Sequence, residues 1–162
     1  MSKIKPCIWF DGNAEEAANF YVSLLPDSGI DDVSRSPADN PSTQAGEVLV
    51  VNFHVAGQPL IGLNGGPGFP LTEAFSLSID CADQAEVDRL WDALIDGGGS
   101  AGQCGWLKDR FGMSWQVIPR QLGELLGHPD RVRAGRAMEA LLHMTRIDVA
   151  ALRRAFDGDA PA

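Results

Sequence analysis

One pattern of residues occurs twice in this 162-residue chain, and the second copy follows the first by 70 positions (83 − 13 = 70). Asn13 and Asp83 are residue types that favour the start of a helix, and each is followed three positions later by a glutamate, as in a capping box. Apolar residues then recur at helical spacing in both copies, with Tyr21 matching Trp91. The pattern predicts an internal duplication of a βαβββ module; two unrelated amphipathic strand–helix units are the alternative.

Strands are predicted on both sides of the first helix. β-branched and aromatic residues predict them at 4–11, 47–55 and 59–64. Pro6 indicates an edge position or a strand end for the first strand. The helix after Asn13 is expected to end at Pro26, and the polar stretch 34–46 is expected to be a mobile loop. The glycine-rich stretch 65–70 is a linker by composition.

The second half begins with a predicted half-buried strand at 74–81. A helix that starts after Asp83 is expected to end at a run of three glycines. The stretch 102–112 is predicted to be a glycine-punctuated loop that exposes Trp106 and contains a charged turn, and a strand follows it at 113–118.

The remainder of the chain has a helical pattern that begins at Leu122. Asp130 and Asp148 are expected to cap two further helices, and Gly158 is expected to end the last one. Arg131, Arg133 and Arg136 are expected on a solvated polar face, with anion binding as the alternative. This tail is expected to dock on the sheets or on a second subunit. The predicted organisation is one domain over 1–162, with a first module at 3–66, a second module at 73–120 and a helical tail at 121–158.

Composition argues against several classes of partner. The net charge of −9 and the pI of about 4.6 disfavour nucleic acid and membrane surfaces, because phosphate-rich partners are bound by a positive face. We expect no signal peptide, since the lysines near the start precede no long apolar run. The spacing of the three cysteines fits neither a disulfide framework nor a zinc site. These features predict a cytoplasmic protein with reduced thiols.

Four stretches of the chain are specific enough to indicate a family. They are WFDGNAEEAANFYVSLLPDS, GQPLIGLNGGP, EVDRLWDAL and GQCGWLKDRFGMSWQVIP. Together they resemble the PhnB-like branch of the vicinal oxygen chelate (glyoxalase/bleomycin-resistance) superfamily, which often carries the label 3-demethylubiquinone-9 3-methyltransferase. The resemblance implies an α+β glyoxalase-like fold, in which paired βαβββ modules each curl a sheet around a cavity, here followed by the helical tail. It also implies a homodimer.

Metal-dependent members of that superfamily take two ligands from the starts of the first strands and two from later strands. By the resemblance, the two starts fall at Pro6 and Ser76. The third ligand position falls at Gln116, and the fourth lies near Leu63 or Asn64. Proline offers no side-chain ligand, serine is a poor one and glutamine an occasional one. The resemblance therefore implies no metal here, and no cofactor is predicted.

The methyltransferase label would require a Gly-rich turn between a strand and a helix to hold S-adenosylmethionine. The run Gly65–Gly68 contains Pro67, and no helical pattern follows it directly. The sequence therefore gives that label little support as chemistry.

Alternation along the predicted strands separates two faces. The rows expected to share the ligand-facing side are Pro6, Ile8 and Phe10; Asn52 and His54; Ser76, Ser78 and Asp80; and Ser114 and Gln116. The rows expected to pack against helices contain Trp9, Leu77, Ile79, Trp115 and Val117, with Cys7 and Cys81 in the buried core. If the sheets curl, the polar rows line a small-molecule pocket; a solvent-exposed sheet face is the alternative.

Eight residues are predicted to bind the ligand: Phe10, Asn52, His54, Asn64, Ser76, Ser78, Trp106 and Gln116. For His54, a general base or ligand role stands beside a structural one. Trp106 either closes over the pocket or packs at a module interface. Cys104 is expected to be the most accessible cysteine.

Three functions are compatible with these observations. The leading hypothesis is a metal-independent cytoplasmic homodimer that binds an unknown small organic molecule. The alternative is an enzyme of the same superfamily, which transfers a group as the label suggests or holds a metal at a rearranged site formed by His54, Asp80 and Gln116. In the third, the fold is an interaction domain and the tail is its docking surface. No catalytic residue is assigned.

Overall fold

The computed structural model describes residues 3–159, and within them it has an α+β fold of eight strands and five helices. The elements are β1 Cys7–Phe10, α1 Ala14–Val22, β2 Gly29–Arg35, β3 Val48–Val55, β4 Gln58–Asn64, β5 Leu77–Cys81, α2 Gln84–Ile95, β6 Ser100–Ala101, β7 Trp106–Lys108, β8 Ser114–Pro119, α3 Arg120–Leu126, α4 Arg131–Leu141 and α5 Val149–Asp157. The chain divides into two compact units at the boundary between Leu71 and Thr72. Within residues 3–159, each helix is too short or too polar to cross a membrane.

The first unit is a βαβββ module with the strand order β1-β4-β3-β2. Strand β1 pairs in parallel with β4, and the other pairs are antiparallel. Helix α1 covers one face of this sheet, where Tyr21 and Phe53 are fully buried with ring centroids 6.3 Å apart. Strand β1 lies at an edge of this sheet and begins directly after Pro6, so both positions that Pro6 indicated are confirmed.

Strand β2 was not predicted, and the expected loop at 34–46 begins inside it. Its pairing with β3 shifts register between Ile30 and Asp32, and this irregularity removes the alternation that marks a strand in sequence. The rest of the expected loop is fixed by hydrogen bonds. Asn40 accepts from the backbone amides of Ser42 and Thr43 and donates to the Thr43 hydroxyl.

The second unit repeats the same topology, with the strand order β5-β8-β7-β6 and a parallel pair between β5 and β8. The predicted paired βαβββ architecture is therefore confirmed. The short strands β6 and β7 were not predicted, and β7 contains Trp106, which had been assigned to a loop. Two- and three-residue strands show too little alternation to be recognised from sequence.

The tail helices α3, α4 and α5 pack around a small apolar core within the second unit. This core is formed by Leu122, Leu141, Ile147 and Leu152. Gln84 of α2 donates to the Ile147 carbonyl at 3.0 Å and accepts from the Val149 amide at 2.8 Å. Arg146 forms ion pairs with two aspartates of α2, so the tail docks on its own module.

The predicted helix caps are mostly confirmed. The side chains of Asp83, Asp130 and Asp148 each accept a hydrogen bond from a backbone amide in the first turn. The capping box at Asn13 is wrong, because the Asn13 side chain makes no cap hydrogen bond. The side-chain oxygen of Asn64, at the end of β4, instead accepts from the Ala14 amide at 2.9 Å.

The tail arginines form hydrogen bonds within the tail, which was not predicted. Arg136 donates to the carbonyls of Ala155 and Phe156 at the end of α5, and Arg131 donates to the carbonyls of Leu126 and His128. Cations at helix C-termini offset the partial negative charge of the last carbonyls.

Candidate functional site

The side chains of β1 lie on the opposite faces of the first sheet from those predicted. Ile8 and Phe10 are buried on the side of α1, whereas Cys7 is exposed and Trp9 is half-buried on the other side. A Cβ atom on Gly62, the cross-strand partner of Ile8, would meet both Phe10 and Ala14 of α1. Phe10 is therefore a core residue on the side of the sheet that α1 covers.

A one-residue difference between the modules explains this error. The buried residues of β5 are Ile79 and Cys81, so that Ile8 corresponds to Ile79 at an offset of 71 (79 − 8 = 71). The helices keep the offset of 70, because α1 begins at Ala14 and α2 at position 84. The first module has one more residue between strand and helix, in a turn where Gly12 adopts a positive φ of 84°. Aligning the helices therefore assigns β1 to the wrong face.

Asn64 also lies on the helix side, where it is 3% exposed. Its amide nitrogen donates to the Val48 carbonyl, and its oxygen accepts from the Ala14 amide. Both of its polar groups are bound within the module, so Asn64 holds α1 and β3 together.

The face of the second sheet that α2 leaves uncovered is mostly polar. We call its polar part the open face, and this part is formed by Ser76, Ser78, Trp106, Lys108, Ser114 and Gln116. The same side of the sheet continues through Asp80 to Ile118, which packs against the apolar core of the tail. Gln116 pairs with Ser78 on one side and with Trp106 on the other. Its amide nitrogen donates to the Ser76 hydroxyl at 3.0 Å. The structure therefore brings four of the eight predicted ligand-binding residues onto one face.

A pocket of about 180 Å³ lies at the β6–β7 end of the open face. Trp106 and Lys108 line it from β7, Ser114 lines it from β8, and Glu73 lines it from the segment that precedes β5. Lys108 Nζ lies 2.5 Å from Glu73 Oε1. The hydrogen bond from this ammonium lowers the pKa of the Glu73 carboxyl, which favours the ionised form.

Asp109 fixes the loop that joins the two strands of this pocket, and the sequence reading missed it. The residue is 3% exposed, and its carboxylate accepts from the amides of Phe111 and Met113 and from Trp115 Nε1. The sequence signal was an aspartate between the basic residues Lys108 and Arg110, a charged pattern that is also typical of an ordinary surface turn.

The other two predicted binding residues, Asn52 and His54, lie on the helix-free face of the first sheet. His54 Nδ1 lies 2.8 Å from Asp31 Oδ1, and the His54 side chain is 31% exposed. Asp31 comes from β2, the strand that was not predicted. Within the described part of the chain, no group of three or more His, Cys, Asp or Glu side chains is arranged to hold a metal ion.

A hollow of about 350 Å³ lies beside the start of α1 and is lined by Glu15, Arg35, Glu47 and Asn64, among others. Three of these polar side chains are hydrogen-bonded to the protein backbone. Arg35 donates to the Gly46 carbonyl, Glu47 accepts from the Gln44 amide, and Asn64 makes the two bonds given above. These groups already have partners, so the hollow is the weaker candidate for a binding site.

The cysteines differ in accessibility from the prediction. Cys7 is exposed and Cys104 is half-buried, with its sulfur 3.5 Å from the Leu141 carbonyl oxygen. Cys81 is fully buried, as predicted. Cys7 was assigned to the core by the same one-residue error, so the most accessible cysteine is Cys7 and not Cys104.

Comparison with known proteins identifies the family. The model of the 3-demethylubiquinone-9 3-methyltransferase family matches residues 2–118, which is well over half of the chain. The chain belongs to this PhnB-like family. A solved structure from Bacillus cereus, described as a 3-demethylubiquinone-9 3-methyltransferase and PhnB protein, is 32% identical with a TM-score of 0.66. The match covers 73% of this chain and 99% of the Bacillus protein.

A second structure, of a protein from Pseudomonas aeruginosa, shares the fold. It is 24% identical with a TM-score of 0.55, and the match covers 74% of this chain and 98% of the other. No curated protein matches the chain.

The family's methyltransferase description implies S-adenosylmethionine, and the glycine-rich run does not fit that cofactor. Such a site needs a Gly-rich turn that leads from a strand into a helix. Gly65 and Gly66 follow β4, but the next regular element is the strand β5. A Cβ atom on Gly65 would lie 2.1 Å from the Trp9 ring, so the close approach at this glycine is already taken by Trp9.

Proposed function

We propose that this PhnB-like chain is a metal-independent small-molecule-binding protein of the glyoxalase/bleomycin-resistance superfamily, with its ligand site on the open face of the second sheet. One observation carries the proposal: Ser76, Ser78, Trp106 and Gln116, which the sequence predicts as binding residues, share this face beside a pocket. A concave site with an aromatic wall and a few convergent polar groups is typical of small-molecule binding.

The chemistry of the open face favours binding over catalysis. Hydroxyl and amide side chains orient a ligand through hydrogen bonds and do not exchange protons near neutral pH. The charged side chains at the pocket, Lys108 and Glu73, bind each other.

Native mass spectrometry combined with a thermal-shift screen of small metabolites tests this function. We expect an organic ligand to co-purify or to raise Tm, and we expect Gln116→Ala to abolish the effect. Asn52→Ala, on the first sheet, is the matched control and should leave it unchanged. A stoichiometric bound metal, or ligand binding that depends on Asn52 and not on Gln116, would contradict the proposal.

An enzyme is the second candidate, and the Asp31–His54 pair supports it. A histidine held by a carboxylate through one ring nitrogen can exchange protons through the other, as in general acid–base catalysis. If this candidate is right, His54→Ala abolishes turnover of a ligand found in the screen, and Asp31→Asn reduces it. Turnover that survives His54→Ala would exclude this role.

We further propose that the protein is a cytoplasmic homodimer. Its three cysteines are unpaired, which fits a reducing compartment. Helix α4 and the residue after it expose the apolar side chains of Val132 (70%), Met138 (42%) and Leu142 (59%), a pattern typical of a contact surface. Sedimentation velocity should give a dimer for the wild type and a monomer for Val132→Glu combined with Leu142→Glu. A wild-type monomer would refute the dimer.

A further inference from the structure

The hydroxyl group of Ser114 stands out among the polar groups of the pocket. Ser114 is 1% exposed, it lines the pocket, and its oxygen has no hydrogen-bond partner among the described residues. Most buried polar groups are paired, because an unpaired buried hydroxyl loses its hydrogen bonds to water without replacement. A hydroxyl left in this state at a pocket is available to a ligand.

Lys108 is the direct cross-strand neighbour of Ser114 in the β7–β8 pair. Cβ atoms of directly opposed residues are about 5 Å apart, so one small group can contact both side chains. The ammonium of Lys108 already has a partner, the carboxylate of Glu73. Lys108 and Ser114 thus provide a cation and a free hydroxyl side by side.

Glu73 differs from Lys108 and Ser114 because it does not belong to a strand. It lies in the irregular segment before β5, and its side chain is 66% exposed. An exposed ion pair with one partner in an irregular segment contributes little to stability and can be exchanged for another pair. The Glu73 carboxylate therefore occupies a position that a carboxylate from solution can take.

We propose that the pocket binds a small organic carboxylate, which displaces Glu73 from Lys108 and forms a hydrogen bond with Ser114. This inference rests on the proposed function and specifies its ligand class. Trp106 forms one wall of the pocket and packs against the carbon skeleton of the ligand. Glu73 acts as an internal competitor that keeps Lys108 paired while the site has no ligand.

The volume of the pocket limits the size of the ligand. About 180 Å³ corresponds to roughly six water molecules at about 30 Å³ each. Monocarboxylates such as lactate and benzoate are small enough to fit a pocket of this volume. Their amides, lactamide and benzamide, have nearly the same shape without the negative charge, so each acid has a matched neutral control.

The test is a titration of the full-length protein with both acids and both amides, followed by backbone amide NMR shifts. We expect at least one acid to shift the backbone N–H resonances of Lys108 and Ser114. Lactamide and benzamide should leave these resonances unchanged. Lys108→Met should weaken acid binding about tenfold or more, since it removes the charge and keeps most of the side-chain length.

Two further variants make the outcome specific to this geometry. Ser114→Ala should weaken acid binding about tenfold and leave Tm unchanged or higher, because the hydroxyl makes no bond in the free protein. Glu73→Gln should tighten binding several-fold, because it removes the competitor for Lys108. Ser34→Ala, at an exposed serine on β2 of the first sheet, is the control and should change neither property.

The proposal is overturned if neither acid binds at millimolar concentration, or if Glu73→Gln weakens binding, since Glu73 would then contact the ligand. It is also overturned if Ser114→Ala lowers Tm and leaves affinity unchanged. These failures are separable from failure of the proposed function: a metabolite that binds through Gln116 without shifting Lys108 leaves small-molecule binding intact and excludes the carboxylate site.

Discussion

The two sheets of this protein have the same strand order and different uncovered faces. In the first sheet that face carries the polar Asn52 and His54 and the exposed Cys7 among half-buried apolar side chains, which include Trp9, Val50, Ile61 and Leu63. In the second it carries serines, a lysine and a glutamine. The helix-facing rows are apolar in both modules, as a shared topology requires. The fold therefore constrains one face of each sheet and leaves the other free to acquire a site.

The hairpins that end the two modules differ in the same way. Strands β3 and β4 are joined by a tight turn at Ala56 and Gly57, both with positive φ. The only side chain that supports it among the described residues is that of Ser28, whose hydroxyl accepts an exposed hydrogen bond from the Ala56 amide at 2.9 Å. Strands β7 and β8 are joined by a longer loop that surrounds the buried Asp109. The second hairpin thus depends on a buried carboxylate with three hydrogen bonds, whereas the first depends on backbone geometry and one exposed hydrogen bond to a hydroxyl.

Replacement of Asp109 should expose this dependence with the largest effect. Asp109→Ala removes the acceptor of two backbone amides and the Trp115 indole, so we expect a loss of about 4 kcal/mol in the free energy of unfolding. Urea denaturation followed by tryptophan fluorescence measures it. Asp96→Ala, an exposed aspartate of the same module, should cost less than about 0.5 kcal/mol. Equal effects of the two variants would refute the role of Asp109.

The way in which α1 is capped gives the next largest effect. Asn64→Ala leaves the Ala14 amide and the Val48 carbonyl without their partner and should cost about 2 kcal/mol. Asn13→Ala should change stability by less than about 0.5 kcal/mol, although Asn13 has the better capping position in sequence. Thermal unfolding of both variants decides which asparagine caps the helix.

Cys81 makes the second module sensitive to alkaline pH at the position where the first has Phe10. Burial, together with the charges of Glu86 and Asp80, raises the pKa of the Cys81 thiol from 9.0 to about 12. Since the folded-state pKa lies above the unfolded one, the stabilisation is complete below pH 9 and is lost as the pH rises toward 12. In that range the stability difference between wild type and Cys81→Ala should fall by about 1.4 kcal/mol per pH unit. Denaturation curves of both proteins at about pH 8, below this window, and at about pH 10 and 11, inside it, measure the fall. A stability difference that stays constant over these pH values would contradict the raised pKa.

The local cap of α2 should give the smallest effect. Asp83→Ala removes one hydrogen bond to the Glu86 amide and should cost about 1 kcal/mol, or half of the Asn64 effect. The order Asn64 above Asp83, measured by urea denaturation, sharpens the contrast between a cap supplied by a distant strand and one supplied by the preceding residue. A reversed order would show that the cross-strand cap of α1 adds nothing beyond a local one.

The sequence was sufficient for the features that depend on neighbouring residues. The helices, three of the four proposed side-chain caps and the regularly alternating strands follow from spacing and capping residues, which act over a few positions. Strands β2, β6 and β7 escaped because they are irregular or very short. Asn64 and Asp109 escaped because their partners are set by tertiary contacts, which a local pattern does not contain.

The candidate site was predictable where the side chains of a strand were assigned to the correct face of the sheet. Ser76, Ser78 and Gln116 were placed together because β5 and β8 alternate regularly. Phe10 was misplaced by one inserted residue, and Lys108 and Ser114 were not singled out as a pair because β7 was not recognised. A pair of residues on opposite strands becomes visible only when the register is known.

The additional residue at the Gly12 turn also restricts how the two modules can exchange material during evolution. A recombination event that joins the strand of one module to the helix of the other within this turn would change its length by one residue. Because side chains alternate along a strand, that change would turn the apolar row outward and the polar row inward. Exchange at the linker between the modules keeps each strand with its own helix. We therefore expect whole modules, and not their parts, to be the heritable units of this protein.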